Sequence, residues 1–140
     1  MKDLWFERSP ATQGQTLKDK LKIHLWYCVD TLLFKTSLKA LSCWRIFLLR
    51  LFGAKIGKGC YVSPKCTVVC PWNVKIGNFS SIDDYAFIKP GVGVAIGDYV
   101  SISVFVHIIA DGHDVRKRNF AYLSESVQIG NGVFIGADSY

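Results

Sequence analysis

From residue 56 to residue 113 the chain reads IGKGCY, VSPKCT, VVCPWN, VK, IGNFSS, IDDYAF, IKPGVG, VA, IGDYVS, ISVFVH, IIADGH. An aliphatic residue opens each of the nine six-residue groups, and Ile56, Ile76 and Ile96, each followed by glycine, lie twenty residues apart. The pattern returns from Ile129 and Ile135 as IGNGVF and IGADSY. A six-residue period with one aliphatic per unit is the signature of a parallel β-helix. The unit is too short for a strand plus a hairpin, and an amphipathic helix would repeat its apolar residues every three or four. It fits one short strand and one corner. Three units close a triangular coil, and stacking such coils at the strand spacing of about 4.8 Å sets Ile56, Ile76 and Ile96 above one another inside. An ordinary β-sandwich with alternating strands does not account for spacing this strict.

Gly57, Gly77 and Gly97, with Asn78, Asp98 and Asn131 after the glycines at 77, 97 and 130, supply corner chemistry, because these residues tolerate tight turns and positive φ. The extra pairs Val74-Lys75 and Val94-Ala95 recur at one place in consecutive coils and are expected as bulged corners on one edge, with Pro71-Trp72-Asn73 as the other carrier of the first.

Outside the repeat, residues 1–15 form a polar leader containing Pro10 and Gly14. Residues 16–53 are expected to be helical. Leu17, Leu21, Leu25, Cys28, Val29, Leu32 and Leu33 follow a helical period among lysines. Ser37 is a plausible N-cap for a second helix carrying Leu38, Leu41, Trp44, Phe47, Leu48 and Leu51 and closed by Gly53. Charges interrupt both apolar runs well short of the roughly twenty residues that a membrane span requires. The helices are expected to cap the open end of the first coil or to pack on a neighbouring subunit, since a β-helix end exposes unpaired strand edges. Peripheral membrane contact through residues 17–52 is the other use of this composition, as Trp5, Trp26, Trp44 and the lysines suit an interfacial helix. The β-helix domain then occupies 54–140 and throws out a polar, basic loop at 114–128, because Ile96 to Ile129 is 33 residues, fifteen more than one eighteen-residue coil. Loops on rigid scaffolds are where function usually sits.

The 140 residues are one domain's worth and, at 50% hydrophobic and 20% charged, are not disordered. A net charge of +6 points to an acidic partner such as a phosphate-bearing cofactor, an anionic saccharide or an anionic membrane. Nucleic acid is a poor candidate, because the basic residues form no stripe interleaved with stacking aromatics. Five cysteines (Cys28, Cys43, Cys60, Cys66, Cys70) make an odd set without a secretory signal, which points to a reducing cytoplasm, and they read as small core hydrophobes. No paired CxxC supports zinc, so no metal site is expected.

The loop leaves the coil directly after Ala110-Asp111-Gly112-His113-Asp114. A histidine at the end of a coil, flanked by aspartates that favour and orient the protonated imidazole, is placed to act as a general base. His107 lies one unit earlier on another face, and His24 belongs to the helical segment. Asp83 and Asp84 open a corner one coil before His113 and are candidates for the same groove, though ordinary turn acidity explains them as well.

The segments Leu48 to Gly57, Pro71-Trp72-Asn73, Ile96 to Ile102 and Gly112-His113-Asp114 together resemble the hexapeptide-repeat acyltransferases. Within them the chain is most similar to colanic-acid-type and nodulation-type sugar O-acetyltransferases, over about residues 20–140. The resemblance implies a left-handed β-helix, a hand that periodicity does not give and that departs from the usual right-handed crossover. It implies a homotrimer with active sites between neighbouring prisms, acetyl-CoA as the acyl donor and a saccharide as the acceptor, with no metal. His113 becomes the catalytic base. Asp83 matches an acceptor-contacting Asn of some members, Asp84 matches an Asp of the colanic-acid type, and Asp114 adjoins the base on the acceptor side. Gly136 and Ala137 match the small residues along which the pantetheine arm lies. The family goes on to further coils, whereas this chain stops at Tyr140, two units into its fourth, as a fragment or a shortened form.

Two other readings are a non-catalytic trimeric scaffold and a γ-type carbonic anhydrase. The second needs three histidines around zinc at a subunit interface. Only His107 and His113 lie in the coil.

Overall fold

The computed structural model describes residues 17–114, 116 and 122–140; the leader 1–15 and part of the loop 114–128 lie outside the described residues. Strands β1 (Lys55–Ile56), β2 (Tyr61–Val62) and β3 (Thr67–Val68) form the first coil. β4 (Val74–Ile76), β5 (Ser81–Ile82) and β6 (Phe87–Lys89) form the second, and β7 (Val94–Ile96), β8 (Ser101–Ile102) and β9 (His107–Ile109) the third. A hairpin of β10 (Asp111–His113) and β11 (Tyr122–Ser124) follows, and then β12 (Val127–Ile129) and β13 (Phe134–Ile135) resume the coil. The strands stack into three parallel walls, β1-β4-β7-β12, β2-β5-β8-β13 and β3-β6-β9. Ile56 pairs in register with Ile76, Ile76 with Ile96, and Ile96 with Ile129.

The core is a set of vertical columns. Val62, Ile82 and Ile102 are buried in the second wall, and Val68, Ile88 and Ile108 in the third. Each such side chain contributes about 1.5–3 kcal/mol through its removal from water. Val74 and Val94 are not corner residues. They are the first inward-facing residues of β4 and β7, and Lys75 and Ala95 are ladder residues beside them. The extra length sits just before them, in the turn Pro71–Asn73 and in Pro90 to Gly93, where the Asn73 side-chain N–H donates to the Gly91 carbonyl at 2.6 Å.

The repeated glycines are required by close approach. A Cβ on Gly77 or Gly97 would lie 2.3 Å from the Oδ1 of Asp98 or Asn131. Those oxygens accept the N–H of Asn78 (2.6 Å) and of Asp98 (2.8 Å), so the corner side chains form a ladder from coil to coil. The left-handed backbone falls further on, at Gly59, Phe79, Tyr99 and Gly132 (φ 68, 56, 55 and 67) along one corner and at Tyr85, Phe105 and Asp138 (φ 62, 57 and 58) along another, so four aromatics take it. Phe79 stacks with Tyr99 and Tyr85 with Phe105 outside their corners, with ring centroids 5.3 and 4.9 Å apart.

Helix α1 (Leu17–Val29) runs into a π-turn at Asp30–Phe34, and α2 is Ser42–Leu51. Ser37 does not cap α2, whose N-cap is Leu41; its hydroxyl accepts from the Arg45 guanidinium at 2.9 Å. Gly53 closes α2 at φ +99. The helices cover the bottom coil by satisfying its edge on all three walls. Arg50 donates to the Ile56 carbonyl of β1 (2.6 Å), buried Arg45 to the Val62 carbonyl of β2 (2.7 Å), and the Trp26 indole to the Val68 carbonyl of β3 (2.7 Å). The Ser42 hydroxyl accepts the Val62 N–H at 2.9 Å.

Candidate active site

At its third corner the first coil turns through Pro71–Asn73 and the second through Pro90 to Gly93, whereas the third departs as the β10–β11 hairpin. The stem is anchored at its base. Asp111 pairs with Lys89 of the layer below at 3.0 Å, the Ala110 N–H donates to the Lys89 carbonyl at 2.9 Å, and on the return the Val127 N–H donates to the Gly93 carbonyl at 3.0 Å. His113 sits opposite Tyr122 in the stem, and its side chain is exposed. Beside it the Asp114 carboxylate accepts the Arg116 N–H at 3.0 Å. An imidazole held outward on an anchored stem can take a proton from a molecule lying against this edge.

Asp83 and Asp84 occupy a different edge, the corner between the walls of β5 and β6. One layer up, the same corner holds Ser103 and Val104; two layers up, it holds Gly136 and Ala137, after β13. The Phe105 N–H donates to the Asp84 carbonyl, and the Asp138 N–H to the Val104 carbonyl, both at 3.2 Å. Asp83, Asp84, Gly136 and Ala137 thus form one vertical line, whose ends are about 10 Å apart at the strand spacing. A Cβ added to Gly136 would meet only the Phe134 ring, at 4.0 Å. Within one chain the third wall separates this line from His113 and Asp114. A groove that unites the two edges needs a second prism.

Around Asp84 the structure gathers groups that were not singled out in the sequence. The buried Ser63 hydroxyl donates a short hydrogen bond to its carboxylate, and Lys39 and Lys65 approach the other oxygen at 3.6 Å each. The Ser63 hydroxyl and the two lysines hold the Asp84 carboxyl below the usual carboxylate range. Ser63 and Lys65 are legible in retrospect, because they stand twenty residues below Asp83 and Tyr85. Lys39, from the segment between the helices, carries no such signal.

No family model matches the chain. It is 30% identical over 120 residues to WcaF of Escherichia coli (strain K12), named as a colanic acid biosynthesis acetyltransferase, and equally to WcaF of Shigella flexneri. The match takes in 86% of this chain, which spans 66% of the length of these curated relatives. The chain belongs to the hexapeptide-repeat acetyltransferases. Among solved structures, a hexapeptide-repeat acetyltransferase from Vibrio cholerae superposes with a TM-score of 0.76 at 20% identity, covering 87% of this chain and 69% of that one. A galactoside acetyltransferase in complex with coenzyme A superposes at 0.68 and 21% identity, covering 89% and 70%. At these identities the structural likeness speaks for the fold.

Other features of this hexapeptide-repeat protein lie away from both edges. A cavity of about 670 Å³ opens on the wall of β1 and β4 under Arg50, Lys55 and Lys75, and none of the candidate site residues lines it. Cys28 and Cys43 are exposed, while burial pushes the Cys66 thiol up to about 12. His107 is half-buried between the Phe87 and Tyr140 rings (5.6 and 4.9 Å), and His24 Nδ1 lies 2.7 Å from the Lys20 carbonyl. Among the described residues no His, Cys, Asp and Glu side chains gather into a metal-binding group.

Proposed function

We propose that the chain is an acetyl-CoA-dependent O-acetyltransferase that modifies a sugar hydroxyl in polysaccharide or glycoconjugate biosynthesis, working as a cytoplasmic homotrimer of left-handed β-helices. The likeness to WcaF over 120 residues carries this reading. The division of the candidate residues between two edges supports the trimer, since a neighbouring prism is needed to bring His113 and Asp114 of one chain opposite Asp83, Asp84, Gly136 and Ala137 of another. The acetyl-CoA bound to a structural relative from Vibrio cholerae supports the choice of donor.

In this reading the His113 imidazole accepts the proton of the acceptor hydroxyl as its oxygen attacks the thioester carbonyl carbon. The C–S bond breaks, the thiolate takes the proton from the imidazolium, and the sugar leaves as its acetyl ester. Backbone N–H groups at the groove stabilise the developing oxyanion, a contribution of about 3–4 kcal/mol. Asp84, already ionised by its partners, accepts hydrogen bonds from acceptor hydroxyls. The Gly136-Ala137 corner lets the pantetheine arm approach backbone closely.

The test is thiol release from acetyl-CoA with a panel of saccharides, beside calorimetric binding of acetyl-CoA. His113→Ala is expected to bind the donor and stay folded while transfer falls by about 10²- to 10⁴-fold. Retained turnover removes His113 from the mechanism. A folded trimer that fails to bind acetyl-CoA overturns the reading of these residues as an enzyme on their own, in favour of a non-catalytic scaffold or a piece of such an enzyme.

A further inference from the structure

Both N-terminal helices carry a second apolar stripe, turned away from the coil. At about 100° per residue, Leu17, Leu21, Leu25 and Cys28 of α1 fall within an arc of about 80°, with Trp26 on the opposite side. Trp26 is the residue buried against the coil, whereas Leu17 is 85%, Leu21 71% and Leu25 55% exposed. In α2 the coil receives Arg45, Ile46, Leu48 and Leu49, while Trp44, Phe47 and Leu51 lie together on the far side, within an arc of about 60°. The Trp44 and Phe47 rings stack at 5.7 Å, and the Trp44 indole donates to the Leu33 carbonyl at 3.3 Å. That bond ties the α2 stripe to Leu32 and Leu33, which are themselves exposed in the π-turn. Leu32, Leu33, Trp44, Phe47 and Leu51 thus form one exposed apolar patch on the cap, and the α1 leucines form a second stripe. On the coil, four of the exposed aromatics stack pairwise along the corners.

Charge identifies the occupant. Between residues 17 and 53 there are seven Lys and Arg against two Asp; Arg45 and Arg50 point into the coil, Lys35 and Lys39 pair with Asp30 and Asp84, and Lys22 lies over the Trp72 ring. Exposed Lys18 and Lys20 project on either side of the α1 stripe. Leucine and aromatic side chains in the middle with lysines at the margins match an anionic bilayer surface, whose acyl boundary takes the apolar residues while its headgroups take the ammonium groups. Among the described residues no helix is long and apolar enough to cross a membrane, so the mode of contact is parallel to the surface. We propose that α1, the π-turn and α2 dock this protein peripherally on an anionic phospholipid surface, with the coil standing off the membrane behind them. The inference stands apart from the transfer reading, because docking requires neither acetyl-CoA nor an acceptor.

Co-sedimentation of the full chain with phosphatidylcholine vesicles, with and without phosphatidylglycerol, tests it directly. The chain is expected to pellet with the mixed vesicles, at least about tenfold more weakly with phosphatidylcholine alone, and less at high salt. Trp44 emission should shift to the blue on binding and lose that shift in Trp44→Phe. Leu21→Asp with Phe47→Asp is expected to abolish pelleting while its melting curve and lipid-free oligomeric state stay unchanged. Lys18→Ala with Lys20→Ala, which touches no apolar contact, should weaken binding about tenfold or more. A full chain that stays in the supernatant with mixed vesicles overturns the proposal. So does a Leu21→Asp/Phe47→Asp variant that falls to a smaller oligomer without lipid, which would make the stripe an interface between copies.

Discussion

The coil and its helical cap are built from similar proportions of aliphatic residues, and they use them in opposite ways. In the coil the aliphatic residue that opens each six-residue unit points inward and meets its counterpart in the next layer, twenty residues on through the first three layers and 33 across the hairpin, so one contact is repeated through the height of the prism. In the cap each side chain meets something different. Arg45, one of the two arginines of α2, is fully buried, while the leucines that mark the apolar period of α1 face outward. A periodic core is robust to being read from pattern, because each column confirms the next. A capping segment is fitted to the edge that it covers, and pattern alone does not say which of its faces does the covering.

The comparison breaks most visibly if a column is interrupted. Ile96→Asp should leave the protein unfolded or aggregated, since a buried, unpaired charge costs more than a small domain's entire stability; a folded, soluble product by circular dichroism would refute the register. Next comes the cap's own polar centre. Arg45 makes four hydrogen bonds, to the Val62, Leu38 and Lys39 carbonyls and the Ser37 hydroxyl. Arg45→Ala strands those acceptors and is expected to cost about 3 kcal/mol or more in denaturant unfolding.

Asp84→Ala, at the seam where Lys39 of the cap meets the coil, should cost about 1–3 kcal/mol by leaving the buried Ser63 hydroxyl without its acceptor. Its acid profile sharpens the point. The folded pKa of Asp84 lies below its unfolded value of about 3.9, so its stabilisation is present above that pH and is lost as pH falls through the folded value. The difference between wild type and Asp84→Ala should therefore close in acid. Taking that difference also cancels Asp30, whose burial raises its pKa and whose contribution has the opposite sign, favouring the fold as it protonates. The smallest effect belongs to the outer stripe: Leu17→Ser should change stability in lipid-free buffer by less than about 0.5 kcal/mol.

The sequence made the walls and the columns legible, because both follow from counting; it placed the excursion after His113, whereas Asp111–His113 already form a strand of the hairpin and Val127 is back in the coil. Each six-residue unit turns one corner, so Asp83, at the second corner of its coil, and His113, at the third of the next, belong to different edges. Corner chemistry was harder to read. Glycine and positive φ are usually paired, yet here the glycines at 77 and 97 make room for a side-chain oxygen, while aromatics such as Tyr85 and Phe105 take the left-handed conformation. Lys39, Arg45 and Trp26 were out of reach for a physical reason: each reaches a partner in the coil, Asp84, Val62 or Val68, at a separation that no repeat dictates.

The strict register has a geometric consequence. Because layers stack whole, distance along an edge is quantised: any two corner groups on it are separated by an integer number of steps of about 4.8 Å. Gaining or losing one twenty-residue layer between Asp84 and Ala137 would displace one relative to the other by more than the separation of about 3–3.5 Å at which reacting atoms meet. The prism works as a ruler with coarse graduations. Fine adjustment is left to the elements outside the count, the hairpin that carries His113 and the cap that reaches Asp84 through Lys39.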